Sequence, residues 1–322
     1  MESFITELFI LVALLWILGK SASWAVHSSI SLSRLAGLPE FVIGLFVVTL
    51  ISILPETIIS LLSAFSGVPS LGLGTLLGSN VADLTLVFGL VALLSPREIK
   101  VQSAFIKKDY LFLAFLLLPL VLGFTGHYSR LDGIILIAGS LLFFYSMLRE
   151  KAAKNYHVNN NVTSFSILLG VLILTGSLLL LSASAHYTVQ YAVRIAEGLA
   201  VSPALIGLLV VALGTTLPEF LFSLRAVRHA HSTLALGDIL GTVIADATFV
   251  LGLVALIHPF SFNPRLTIVT GIFMLLAGLF FLSLIRSEKK FTKTEGLFLV
   301  AFYIVFIMVE FVLRDWTPLI TP

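Results

Sequence analysis

Apolar runs of about twenty residues recur along the whole chain, and no other feature restricts its fold more tightly. A bilayer offers no water to the backbone, so such runs must satisfy their own N–H and C=O groups as helices. We place ten of them, at 4–32, 40–65, 70–95, 106–125, 131–149, 164–194, 202–226, 233–258, 265–285 and 295–314. The fold class expected is therefore an all-α polytopic membrane protein. Composition closes the soluble alternative: 58% of the residues are hydrophobic, 11% are charged and the mean hydropathy is +1.10, too little polar surface to coat a water-soluble core. The first run, Ile5 to Leu18, continues into a Ser-rich stretch and reads as a first helix rather than a cleavable leader. The chain has no cysteine, which excludes disulfides and thiolate metal sites. The net charge of +2 sits in loops and calls for no nucleic acid.

The segments form two sets of five. The only long polar connector runs from Arg149 to Thr163. This divides the chain into an N-terminal five-helix repeat (1–150), a cytoplasmic connector (151–163) and a C-terminal five-helix repeat (164–322), all one integral membrane domain. Glu56 and Glu219, Asp83 and Asp246, Gly78 and Gly241, Gly44 and Gly207, and Gly89 and Gly252 are each 163 residues apart. An odd number of helices per copy inserts the second copy upside down. Inverted copies of this kind carry their site at the interface between them. Most of the 19 Lys and Arg residues fall in loops after odd-numbered segments; Arg130, Arg194, Arg265 and Arg314 are opposite. The positive-inside rule then puts both termini outside the cytoplasm. Lys20, inside the first helix, is expected to snorkel or to pair with an acid.

Within each copy, charge appears where it is least welcome. Leu54-Pro55-Glu56 recurs as Leu217-Pro218-Glu219, and no charge lies between Phe41 and Leu54. A charged carboxylate at the bilayer centre costs about 3 kcal/mol even on the mildest scales, so it calls for partners and a function. The proline beside each glutamate lacks an N–H and frees carbonyls near Ile51 and Gly214. Carboxylate and carbonyl oxygens together suit a hard cation. A second acidic element follows: Gly74-Thr75-Leu76-Leu77-Gly78-Ser79-Asn80-Val81-Ala82-Asp83, and Gly237-Asp238-Ile239-Leu240-Gly241-Thr242-Val243-Ile244-Ala245-Asp246. Positions 75, 79 and 83, and 238, 242 and 246, each lie on one stripe of a helix. The glycines are read as packing positions. Symmetry can bring Glu56, Asp83, Glu219 and Asp246 near one point at mid-membrane. Four carboxylates there cannot all stay ionised without cations or protons, so the site is expected to hold Ca²⁺ or several monovalent ions. Asp238 is a further candidate ligand, although its counterpart Thr75 is neutral.

These motifs resemble the Ca²⁺/cation antiporter superfamily, in particular prokaryotic sodium/calcium exchangers. The likeness is strongest over 42–90 and 205–253, and Gly214-Thr215-Thr216-Leu217-Pro218-Glu219 follows the family pattern closely. The resemblance implies an antiporter with four binding positions in a diamond. Glu56 and Glu219 would be central Ca²⁺ ligands, helped by carbonyls and hydroxyls near Ser52 and Thr215. Na⁺ would use the same glutamates with Ser79, Thr216 and Thr242. Asp83 and Asp246 would border the middle position, and the first and sixth helices would slide across the core. No cofactor is implied; the partners are inorganic cations and the lipid bilayer, and a monomer suffices for transport.

The first copy departs from the pattern. Ile53 stands where the family has a hydroxyl, Ile51 where it has glycine, and Asp83 and Asp238 where it commonly has asparagine. Fewer hydroxyls and more acids suit protons better than Na⁺, so an H⁺/Ca²⁺ antiporter of the same fold is the alternative. An intramembrane aspartyl protease is a different class; its glycine-any-glycine-aspartate motif is broken here, where Ala235-Leu236-Gly237 precedes Asp238. A passive channel is a third.

Overall fold

The structure is a computed structural model that describes residues 2–35, 49–95, 99–100, 109–148, 164–198, 212–228, 232–288 and 290–314. Among these residues the helices fall into ten passes, one for each expected segment. The first half comprises α1 (Glu2–Leu35), α2 (Thr49–Ser52) followed by α3 (Leu54–Phe65), α4 (Pro69–Ala82) continued through a π-helical turn (Asp83–Val87) into α5 (Phe88–Leu94), then α6 (Asp109–Leu122) and α7 (Arg130–Leu148). The second half comprises α8 (Ser164–Gly198), α9 (Ala212–Arg228), α10 (Ser232–Ile244) continued through a π-helical turn (Ala245–Val250) into α11 (Leu251–Ile257), α12 (Pro264–Glu288) and α13 (Lys293–Arg314). Among the described residues, five stretches are long and apolar enough to cross a membrane by themselves: 69–94, 130–147, 235–257, 264–284 and 293–313. The connector 151–163, and Ile43-Gly44 with their counterparts Ile206-Gly207, lie outside the described residues.

The halves match in detail. Ser129 and Asp132 form a capping box at the start of α7, with Ser129 N–H donating to Asp132 at 2.8 Å and Asp132 N–H to the Ser129 hydroxyl at 3.3 Å. Thr292 and Glu295 repeat it at the start of α13, at 2.7 and 3.3 Å. Helix crossings repeat as well. A methyl group on Gly133 would lie 2.6 Å from the Gly252 carbonyl oxygen, and one on Gly296 would lie 2.8 Å from that of Gly89. Only glycine lets these backbones touch. Both pairs are related by the 163-residue offset.

Two strand pairs were not foreseen. Ile99–Lys100 pairs antiparallel with Lys290–Phe291, and His127–Tyr128 with Phe260–Ser261. Each joins the first half to the second, and each lies next to one end of α12. That helix has 25 residues and spans about 37 Å, so the clasps sit on opposite sides of the helical layer. Pairing satisfies backbone groups where the chain leaves one helix and enters another.

Burial follows position in the layer. The runs through α4 and α5 and through α10 and α11 are mostly enclosed by protein. Outward faces carry Phe9, Trp16, Leu141, Leu142, Phe298 and Met308, all exposed and apolar as lipid requires. The long helices α1 and α8 pack along each other. Their Leu11, Leu15, Leu18, Val189, Ala192 and Ile195 cluster with Ile59 and Leu71 of the core. At 34 and 35 residues each exceeds about 50 Å, more than a bilayer's hydrocarbon thickness, so both must lie tilted. Lys20 is exposed and lies over the Trp16 ring, 5.6 Å from its centroid, in a cation–π contact.

Candidate functional site

Proline acts differently in the two copies. In the first, the helix is interrupted at Ile53, and α3 restarts with Pro55 in its first turn and Glu56 directly after it. In the second, α9 runs from Ala212 through Pro218 without a break, and Pro218, having no N–H, leaves the Gly214 carbonyl without its helical donor. A further asymmetry concerns Thr57, whose hydroxyl and N–H both donate to the Ile53 carbonyl, at 2.7 and 2.9 Å. Position 220, its counterpart, is phenylalanine and has no such donor.

The acidic motifs of α4 and α10 end in π-helical turns. Phe88 N–H donates to the Asp83 carbonyl, and Leu251 N–H to the Asp246 carbonyl, five residues back in each case. The two turns share a local feature. Thr85 donates its hydroxyl to the Val81 carbonyl, and Thr248 to that of Ile244. A side chain that occupies the i−4 carbonyl competes with the helical N–H there and favours the wider turn. The sequence offers this signal as a threonine two residues after each aspartate, but threonine is too common in helices to be noticed alone.

All ten expected site residues are buried: Ser52, Glu56, Ser79, Asp83, Thr215, Thr216, Glu219, Asp238, Thr242 and Asp246. Side chains of the two repeats meet here. The Thr215 hydroxyl hydrogen-bonds Glu56, and the Ser52 hydroxyl donates to Asp238 Oδ1 at 3.3 Å. Ser79 faces Asp246 while donating to the Leu76 carbonyl at 3.1 Å. Thr75, the neutral counterpart of Asp238, closes on its own helix by donating to the Leu71 carbonyl at 2.9 Å.

Charge makes the arrangement unusual. Asp83 lies within electrostatic reach of Glu56, Asp238, Glu219 and Asp246, and Glu56 also reaches Glu219 and Asp246. No base is among these charged neighbours. Among the described residues, both carboxylate oxygens of Asp83, Glu219 and Asp246, one each of Glu56 and Asp238, and the Thr242 hydroxyl have no hydrogen-bond partner. Native proteins seldom leave buried oxygens so bare. Among the same residues, no three acidic or histidine side chains converge on one metal position. The expected single meeting point of four acids is thus a wider cluster in which hydroxyls and carbonyls must supply part of any ion's shell. Repulsion between unscreened carboxylates favours that spacing.

The sodium/calcium exchanger protein family model matches residues 6–149 and 169–312, both halves of the chain. A putative antiporter, CaxA, of Alkalimonas amylolytica is 32% identical, over 79% of this chain and 82% of its own length. The sodium/calcium exchanger MaX1 of Methanosarcina acetivorans is 26% identical over 94% of this chain and 98% of its own. Among solved structures, the sodium-calcium exchanger NCX_Mj aligns over 95% of this chain and 99% of its own, with a TM-score of 0.69 and 26% identity.

Proposed function

The chain belongs to the sodium/calcium exchanger protein family, a family of membrane transporters rather than enzymes, and from that premise we propose that it exchanges Ca²⁺ for Na⁺ by alternating access. In this reading Glu56 and Glu219 are the central Ca²⁺ ligands, with Ser52 and Thr215 supplying further oxygens. Na⁺ uses the same glutamates with Ser79, Thr216 and Thr242. Asp83, Asp246 and Asp238 border the site. One observation carries the reading: acids from both repeats lie buried together and, among the described residues, have no basic neighbour and leave most of their oxygens unpartnered.

The coupling follows from electrostatics. A cluster of this charge is costly to carry across low dielectric while empty. Loaded with one Ca²⁺ or with Na⁺ ions it is compensated and can reorient. Because both ions need the same carboxylates, occupancy by one excludes the other, and exchange rather than leak results. Both termini are assigned to the extracytoplasmic side, the connector 151–163 to the cytoplasm, and residues 1–150 and 164–322 to the two repeats.

A second reading, H⁺ in place of Na⁺, is favoured by two features. Ile53 is 2% exposed where the family places a hydroxyl, and Asp238 adds a buried acid that takes the Ser52 hydroxyl for itself. Proteoliposomes separate the two. An outward Na⁺ gradient at equal pH should drive uptake of radioactive calcium. Uptake under a pH gradient alone, with none under the Na⁺ gradient, would assign the proton instead.

A further inference from the structure

Among the described residues, Tyr303 and Ser140 are a matched pair of buried hydroxyls that the carboxylate motifs leave unaccounted for. Tyr303, in α13, is 5% exposed, and its Oη has no hydrogen-bond partner among the described residues. Ser140, in α7, is 1% exposed, and its Oγ is equally bare. They are 163 residues apart and occupy equivalent places in the fifth helix of each repeat. Both helices pack directly on a π-helical turn: α13 on the one that begins with Asp83, α7 on the one that contains Asp246. Tyr303 lies within reach of the Asp83 charge. Its ring is held by Phe306, with centroids 5.8 Å apart.

Packing does not explain a phenol here. Phenylalanine is abundant in this chain, with 26 copies, and would fill the same space without burying an unbonded O–H. Alanine would do the same for Ser140. A donor beside a bare carboxylate has one obvious use. We propose that Tyr303 and Ser140 are positioning residues of the cation site, whose hydroxyls turn to Asp83 and Asp246 when no cation neighbours those carboxylates and release them when one does. The donor stabilises the unloaded site, so an arriving cation must displace it. The site then reaches beyond the four helices that carry the acidic motifs, to the fifth helix of each repeat.

This inference rests on the exchanger reading, and the test keeps the two apart. The purified full-length protein is titrated with Ca²⁺ or Na⁺ while its Tm is followed, since a bound ion raises it. If neither ion moves the Tm of the unaltered protein, the exchanger reading and the inference fall together. If the ions do raise it, Tyr303→Phe should lower the half-saturating concentration of at least one of them, by about tenfold, because loss of a bond to a charged group removes the competitor. In an Asp83→Asn background the same substitution should have no effect. Unchanged half-saturation in Tyr303→Phe, or an equal shift with and without Asp83→Asn, would overturn the inference alone. Should Tyr303→Phe fail to fold, Ser140→Ala, with and without Asp246→Asn, removes one oxygen only and is read the same way.

Discussion

Glu56 and Glu219 each follow a proline inside an apolar run, 163 residues apart, and lie within electrostatic reach of each other across the repeat interface. Replacing either by glutamine keeps the shape and removes a charge that a divalent ion needs. Glu56→Gln and Glu219→Gln should each reduce calcium uptake in proteoliposomes to the level of empty vesicles; uptake near the unaltered rate in both would refute their role. Ile53 tests the counter-ion at the same scale. It is buried at the break before α3, so Ile53→Ser should restore a hydroxyl there and lower the Na⁺ concentration that half-inhibits calcium uptake. An unchanged value would put Ile53 off the ion path. The acids were legible because charge is so improbable in lipid that each one stands out. Tyr303, Ser140, Thr85 and Thr248 were not, because hydroxyl residues cost little in such helices and only the fold reveals which of them lack or take a carbonyl.

At the level of elements, the duplication was legible and its execution was not. Ten passes and their inversion followed from run lengths and a constant offset. Two things escaped. The π-helical turns depend on a competition for single carbonyls that apolar periodicity does not register. The strand clasps involve two residues each, too few to leave a pattern. Proline acts with different local geometry in the two copies: it coincides with a break before Pro55, while α9 passes through Pro218. The glycine crossings make a stability prediction. Gly133→Val and Gly89→Val each force a branched side chain against a facing backbone carbonyl, and each should cost about 1–3 kcal/mol, seen as a lowered Tm. Gly176→Ala, with open space around it, should not. Equal Tm values in all three would contradict the close crossings.

For the whole molecule, the proposed alternating access has α1 and α8 slide over the core. Leu15 of α1 lies against Gly214 of α9, where an added methyl would come within 2.7 Å of it. The chain has no cysteine of its own, so Leu15→Cys combined with Gly214→Cys gives a clean cross-link. Oxidation should stop calcium uptake and reduction restore it; uptake at full rate in the oxidised form would show that this pair does not slide. The central claim is simpler: buried acids from the two repeats form one site in which Ca²⁺ and Na⁺ replace each other. Equilibrium binding of radioactive calcium to the purified protein at rising Na⁺ tests it most directly. We expect saturable calcium binding, displaced by Na⁺ and missing from Glu56→Gln and Glu219→Gln. Calcium that stays bound in both variants, or that Na⁺ does not displace, would contradict it.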